Sequence, residues 1–374
     1  MALSCLDEWS SRESRLLDLV GGRSRPSEFE RDTRCEAAGV VEALDGELES
    51  DPFPFSYRTS KPTSAVAPNA SSMEPLERYR SIVDDFDAFL AACERPLGTA
   101  VRVNTIKATP ERAVAALAEE DVAVERADWD PRVLRLETDS PGATWASFHG
   151  FTHGQEEVSI VPPFVLAPEP GERVWDCCAA PGGKATQLAA MMDDRGTVVA
   201  NDNNLGRLSA LRFNAERLGA TSLAVTNADA RNFSLKPFSF DAFDRALVDV
   251  PCSCEGTIRK NPDALDAWSE GHVRSIAGIQ KGILRRAVQA TREGGTVVYS
   301  TCTFAPEENE AVVDHVLGQE DCAVVPFDLA LDHAPGVTSW NGETYDPSLA
   351  DAARIYPHHS DTGGFFVAKL EVTG

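Results

Sequence analysis

Short apolar runs alternate with longer amphipathic stretches along most of this chain. Runs at 99–104, 133–136, 172–177, 197–202, 222–227, 244–250 and 295–301 have the length and composition of strands, and segments near 322–327 and 364–371 read the same way. Apolar residues at helical spacing predict helices over about 74–93, 109–119, 184–192, 204–218, 272–291 and 306–317. The second of these opens on Thr109-Pro-Glu-Arg112, which suits a helix N-terminus. From about residue 156 onward, strand and helix alternate, which predicts an α/β fold built on a mostly parallel, doubly wound sheet.

Residues 1–72 break this pattern. They are rich in Ser, Pro, Glu and Arg, show no sustained apolar period, and carry prolines at 52, 54, 62 and 68. An unstructured extension is expected there, with Met73 a candidate translation start and Ser71 or Ser72 a cap for the first helix. Two folded parts are expected after it: a small α/β domain over 73–150 and a larger one over 151–374, joined through Phe151-Thr-His-Gly-Gln155.

Composition narrows the setting. At 374 residues and 43% hydrophobic, the chain can bury a sizeable core. It has no apolar run of membrane-spanning length and no basic-then-apolar leader, so a cytoplasmic protein without a membrane partner is expected. The nine cysteines lack a framework pattern and read as reduced thiols. The net charge of −24 argues against a phosphate-bearing partner in ordinary salt. A very salty cytoplasm, that of a halophile, offers another reason for it, because an acidic surface keeps a protein soluble there. Screening then shrinks to ~3 Å at 1 M salt, so distant repulsion fades. Between Gly256 and Arg292 seven basic residues face only three acids. They form either a phosphate-facing patch or a solvated helix face, and the sequence leaves both open.

The chemistry begins at Val174-Trp-Asp-Cys-Cys178, an apolar run that continues into Ala179-Ala-Pro-Gly-Gly-Lys184 and then a helix. Small residues between strand and helix let backbone amides approach a ligand. The spacing matches neither a dinucleotide fingerprint nor a triphosphate loop. Asp202 ends the next strand, 26 residues after Asp176, where an acid can accept from ribose hydroxyls. Asp229 follows a third strand, where an adenine can sit. Three acids after successive strands point to an adenosine-type cofactor, although each alone would read as a loop or cap residue.

Two cysteines follow later strands: Cys252 in Asp249-Val-Pro-Cys-Ser-Cys254, and Cys302 in Tyr299-Ser-Thr-Cys302. Strand carboxyl ends form the ligand crevice of such sheets, so both thiols can reach one substrate. A thiolate is able to attack an electron-poor ring carbon. Together with Cys178–Lys184, Arg102-Val-Asn-Thr105, Gln155, Tyr356-Pro-His358 and Gly364-Phe-Phe366, these motifs make residues 74–372 similar to the Sun/RsmB-type RNA cytosine carbon-5 methyltransferases.

The resemblance implies a Rossmann-like S-adenosylmethionine-dependent methyltransferase domain preceded by a small RNA-recognition-like domain. It implies cofactor binding by Cys178, Ala179, Ala180, Pro181, Gly182, Gly183, Lys184, Asp202, Asp229 and Asp249. It makes Cys302 the nucleophile and Cys252 the residue that assists release, with Asp249 placed to bond the cytosine edge. It implies an RNA partner; a compact chain without a large extra targeting domain favours transfer RNA over ribosomal RNA, and a monomer is expected of an enzyme that must wrap a folded RNA.

Other readings are kept in view. A catalytically silent RNA-binding or ribosome-assembly factor would use the same scaffold, but has no need of both cysteines. Methylation of an exocyclic amine expects Asn/Asp-Pro-Pro-aromatic where Asp249-Val-Pro-Cys252 stands. Cys93, Cys177 and Cys322 read as packing residues, Cys254 as a bystander, and Cys5 and Cys35 carry no assignment. No metal site is expected, since Cys252 and Cys254 have no second pair at zinc spacing.

Overall fold

The computed structural model describes residues 73–266 and 268–374. The expected N-terminal extension, with Cys5 and Cys35, lies outside the described residues.

The predicted helix over 74–93 is two elements. A 3-10 turn at Glu74–Tyr79 is followed by helix α1, Phe86–Cys93. Asp85 separates them: it adopts φ 40, and its carboxylate accepts from the Ala88 N–H. A side chain that satisfies a free amide in this way starts a new helix rather than continuing an old one. Leu76, Tyr79, Phe86 and Phe89 then enter one aromatic-rich core from two directions.

A four-stranded antiparallel sheet follows, in the order β2-β3-β1-β4. Its strands are β1, Thr99–Val103; β2, Val124–Arg126; β3, Val133–Leu136; and β4, Thr152–Gly154. Helix α2, Pro110–Ala118, is capped as its sequence predicts, with Thr109 Oγ1 accepting from Arg112 N–H. A short helix α3, Trp145–Phe148, precedes β4. Strand β4 lies in the segment read as a connection; three residues are too few to show a period, and pairing with β1 defines it.

The larger sheet has the order β11-β14-β15-β9-β8-β5-β6-β7, with β10 beside β15. Its parallel strands are β5, Arg173–Asp176; β6, Thr197–Asn201; β7, Leu223–Thr226; β8, Phe243–Asp249; and β9, Thr291–Thr301. The other strands are β10, Cys322–Val324; β11, Ala334–Pro335; β14, Ala353–Ile355; and β15, Phe365–Val372, while β12, Ser339–Trp340, and β13, Glu343–Thr344, form a separate hairpin. Strand β15 runs antiparallel to β9. Helices α4, Glu157–Leu166; α5, Gly183–Met191; and α6, Leu205–Leu218, cover one face. Helices α7, Glu270–Ala290, and α8, Glu310–Leu317, cover the other.

Strand periodicity divides the core. Val174, Val198, Leu247 and Val298 pack under α4–α6, while their neighbours Trp175, Val199, Val248 and Tyr299 pack under α7 and α8. The chain runs outward from β5 through β6 to β7, then returns to β8 and β9 on the other side. The strand order reverses between β5 and β8, and a crevice at such a reversal is where ligands bind in open sheets. The expected α/β, Rossmann-like methyltransferase architecture is thus the one observed. No helix among the described residues is long and apolar enough to cross a membrane.

Candidate active site

The crevice holds a cleft of about 210 Å³ lined by the turn after β5 and by the end of β8. The turn is tight. Gly182 sits at φ 103, and a Cβ there would meet the Leu211 backbone and side chain at 3.3 Å. Ala179 N–H donates to Asn201 O at 2.7 Å, and Ala180 N–H to Asp202 Oδ2 at 3.3 Å. Cys178, Ala179, Ala180, Pro181, Gly183 and Lys184 line the cleft, as does Asp249. Gly182 shapes it without lining it.

Asp202 supports the turn from behind. It is buried, with Oδ1 accepting from Asn204 N–H at 2.8 Å and Oδ2 lying 3.2 Å from the Arg207 guanidinium. Asp229 is not brought to the cleft. Its carboxylate turns to the partly exposed Arg231 at 2.6 Å, which holds it below the usual carboxylate range.

The first of the three strand-end acids, absent from the expected binding set, is the more informative one. Asp176 is 1% exposed, lines the cleft, and neither carboxylate oxygen has a hydrogen-bond partner. Burial, reinforced by the Asp249 charge, pushes it up to about 8. A buried carboxyl left without donors fits a ligand that brings N–H, O–H or positive charge. Beside it, Lys184 Nζ donates to Asp249 Oδ2 and to Ser159 Oγ, each at 2.8 Å, while Ser300 Oγ donates to Asp249 Oδ1 at 2.9 Å.

The small sheet reaches this turn through Arg102. Its guanidinium is buried, donates to Gln155 Oε1 at 3.1 Å and Thr186 Oγ1 at 3.3 Å, and burial pushes it down to about 9. His153 also lines the cleft; burial and the nearby Arg102 and Arg217 hold it neutral, at about 3. Only proximity in space reveals these roles, although Arg102 and Gln155 carried part of the resemblance.

Strand register explains the thiols. Asp249 pairs with Ser300 across parallel β8 and β9, so the two chains leave the sheet side by side. Cys252 and Cys302 emerge just beyond, with their Sγ atoms 3.2 Å apart. Cys254 Sγ lies 3.8 Å from Cys252 Sγ, so the bystander of the sequence reading belongs to the same cluster. Cys252 is raised by its hydrogen bonds to the other two thiols and by burial. For Cys302 the Cys252 contact lowers, but Cys254 and burial outweigh it and the thiol rises. Cys254, whose thiol donates to Cys252 O at 3.1 Å, is pulled down by its contacts with Cys252 and Cys302.

A buried polar clamp sits beneath. Ser253 Oγ lies 3.0 Å from Thr303 Oγ1, and both hydroxyls donate to Glu255 Oε2. Glu308 accepts from Ser253 N–H at 3.1 Å and Gln280 Nε2 at 2.8 Å; burial lifts it to about 7. Gly256 N–H donates to Cys302 O at 3.0 Å, and Gly364 N–H to Gly256 O at 2.8 Å. A Cβ on Gly256 would stand 2.3 Å from Gly364 O and 2.9 Å from Cys302 O.

Five of the seven basic residues are taken up locally. Arg259 is buried on carbonyls of Arg95, Pro96 and Thr362, Arg274 pairs with Glu270, Arg285 with Glu320, Arg292 with Asp244, and Arg286 donates to Phe233 O. Lys260 lines the cleft, so a phosphate-facing role narrows to Lys260 and Lys281. Cys93 and Cys177 are buried packing residues, and Cys322 is partly buried.

Fold and cleft together define a methyltransferase of the Rossmann-like class. The family model described as 16S rRNA methyltransferase RsmB/F matches residues 163–371, and the chain belongs to that family. It is 36% identical to a tRNA (cytosine(49)-C(5))-methyltransferase of Pyrococcus abyssi, over 79% of this chain and 94% of that protein. It is also 36% identical to a ribosomal RNA small subunit methyltransferase F of Shewanella loihica over 76% of this chain, but spans only 58% of that relative's length. A solved methyltransferase homologue from Pyrococcus horikoshii superposes with TM-score 0.70 and 30% identity, covering 81% of this chain and 99% of that one.

Proposed function

We propose that the chain transfers a methyl group from S-adenosylmethionine to carbon 5 of a cytosine in RNA, with Cys302 as nucleophile. The observation that carries this reading is the Cys252–Cys302 pair, 3.2 Å apart, at the end of the strand whose Asp249 is bound to Lys184 of the cofactor turn.

S-Adenosylmethionine supplies an electrophilic methyl group when bound. Cys178–Lys184 would hold it, with Asp202 supporting the turn. The orphaned Asp176 carboxyl offers the acceptor its positive groups require. Asp229 stays in the proposed binding set only if its pairing with Arg231 opens.

Carbon 5 of cytosine is a poor nucleophile until the ring is activated. The Cys302 thiolate forms a bond to carbon 6, and the ring electrons shift toward carbon 5 and N3. Asp249, with Lys184 and Ser300 fixing its two oxygens, is placed to accept from the amino group and, in its protonated form, to donate to N3, stabilising charge as it develops there. Once carbon 5 has taken the methyl group, which would leave S-adenosylhomocysteine, its proton passes to water; the freed electron pair re-forms the 5,6 double bond as the sulfur–carbon bond breaks and returns Cys302 as the thiolate. Cys252, the neighbouring sulfur, assists that release. The target base must be unpaired or flipped, because a stacked cytosine hides carbon 6.

Transfer RNA is the favoured substrate: the relative named for it is matched along nearly its whole length. The small sheet, whose strand β4 runs past the expected domain boundary at 150, is assigned to RNA, and Trp145 and Phe148, 61% and 69% exposed on α3, offer flat faces for unpaired bases. The same reading has a monomer working in a salt-rich cytoplasm, consistent with the charge of −24.

The test is methyl transfer in molar salt from labelled S-adenosylmethionine to transfer RNA and to ribosomal RNA transcripts, with bisulfite mapping of the product. Label in one cytosine of transfer RNA is expected. Label in ribosomal RNA alone would redirect the substrate. Cofactor binding with no label in any RNA would favour the silent scaffold.

A further inference from the structure

The third thiol is unused by the proposed reaction, and its position is unusual. Cys254 takes φ 67, a conformation that glycine adopts without strain, yet here it carries a side chain that points its sulfur at the other two. All three Sγ atoms lie within 4.8 Å of one another.

We propose that Cys252, Cys254 and Cys302 form a three-thiolate site for a soft divalent cation of the zinc group. Sequence spacing hid it, because the third ligand comes from a different strand. The geometry suits the ion. Metal–sulfur bonds of ~2.3 Å at tetrahedral angles put ligand sulfurs ~3.8 Å apart. Cys252 and Cys254 already stand at 3.8 Å, while Cys252 and Cys302 at 3.2 Å need only a small side-chain rotation apart. Cys252 is buried and the other two are half-buried, so the site is largely shielded from water yet keeps an entry path. Coordination releases one proton from each thiol, M²⁺ + 3 RSH giving [M(SR)₃]⁻ + 3 H⁺. Thiolate ligands select zinc and its heavier congeners over oxygen-loving cations such as magnesium. A bound ion engages Cys302 and competes with its attack on any substrate; that consequence rests on the proposed reaction, whereas the site itself does not.

The experiment titrates Cd²⁺ into the full chain, kept reduced by a phosphine, and follows the ultraviolet sulfur-to-cadmium band; Zn²⁺ is measured by competition with a chelating dye. Cys5→Ser and Cys35→Ser are built into every sample so that other thiols do not contribute. Cys254→Gly suits the backbone conformation and leaves both proposed catalytic thiols in place. Loss of outer partners of metal ligands already costs roughly 10–100-fold in affinity, so removing a ligand should weaken Zn²⁺ by about 100-fold or more. One cadmium per chain is expected, with about a third of the band lost in Cys254→Gly and none lost in Cys322→Ser. A band and affinity unchanged by Cys254→Gly would overturn the proposal, as would the absence of a stoichiometric band. Zinc inhibition of methyl transfer, relieved in Cys254→Gly, adds the functional arm. An enzyme with no measurable transfer leaves the binding result intact and counts against the reaction instead.

Discussion

Ser253 Oγ and Thr303 Oγ1 stand 3.0 Å apart, and each belongs to the residue immediately after a cysteine of the thiol pair. Both hydroxyls donate to one oxygen of Glu255, and this shared acceptor fixes the spacing of two loops that belong to different strands. Thr303→Val keeps the shape and removes the hydroxyl. A buried donor or acceptor left unpaired costs about 1–3 kcal/mol, which chemical denaturation would read. A 1 Å displacement of reacting groups can cost about 100-fold in rate. Turnover should therefore fall while cofactor affinity holds, and Thr303→Ser should restore both stability and rate. Equal turnover in Thr303→Val would make the clamp purely structural.

Replacing each thiol should give different failures. Cys302→Ala should abolish methyl transfer and leave cofactor binding unchanged. Cys252→Ala should allow attack but impair release, so a covalent protein–RNA adduct should accumulate as a slow band on a denaturing gel. An adduct from Cys302→Ala, or none from Cys252→Ala, would reverse or remove the assignment of roles.

Asp176 makes the free protein less stable as pH rises from the acid range to about 8. Its carboxyl is raised from 3.8 to about 8. Such a group contributes stability that is complete below 3.8 and lost as pH climbs to about 8. Glu308, raised to about 7, acts in the same direction. Asp176→Asn should flatten the melting profile across this range, leaving a smaller slope from Glu308. The variant should also bind S-adenosylmethionine more weakly and gain less from it on melting. An unchanged cofactor affinity would remove Asp176 from the site.

Gly256→Ala should be severe for a residue with no chemistry of its own. Its Cβ would press on the Gly364 and Cys302 carbonyls, both backbone atoms that cannot rotate away. A loss of about 100-fold in methyl transfer is expected from the displaced sulfur. Gly278→Ala, whose Cβ meets nothing within 4 Å on α7, should leave the rate alone and stabilise the helix by roughly 0.5–1 kcal/mol.

Local signals carried far into this structure. The cap at Thr109, the strand ahead of the Ala179–Lys184 turn, and the two strands preceding the cysteines are all visible in neighbouring residues. What stayed hidden depends on contacts distant in the chain. The Asp85 break reads as an ordinary acid inside an apolar period, because cap geometry decides it. Asp176 looked like a strand-end residue, since the loss of every partner appears only when the sheet closes around it. Asp229 matched a spacing that its own neighbour Arg231 defeats, and Cys254 became part of a cluster only when β9 delivered Cys302 beside it.

Strand β15 braces the two thiol loops from a distant part of the chain. It lies directly against β9, and Gly364 at its entrance fastens the loop that carries Cys254 to Gly256. A chain cleaved before Gly363 would keep both thiols, the turn after β5 and the acids that line the cleft, but not the wall that aligns them. Possession of every reacting group is therefore not the same as a working site: what such a cut removes is alignment alone.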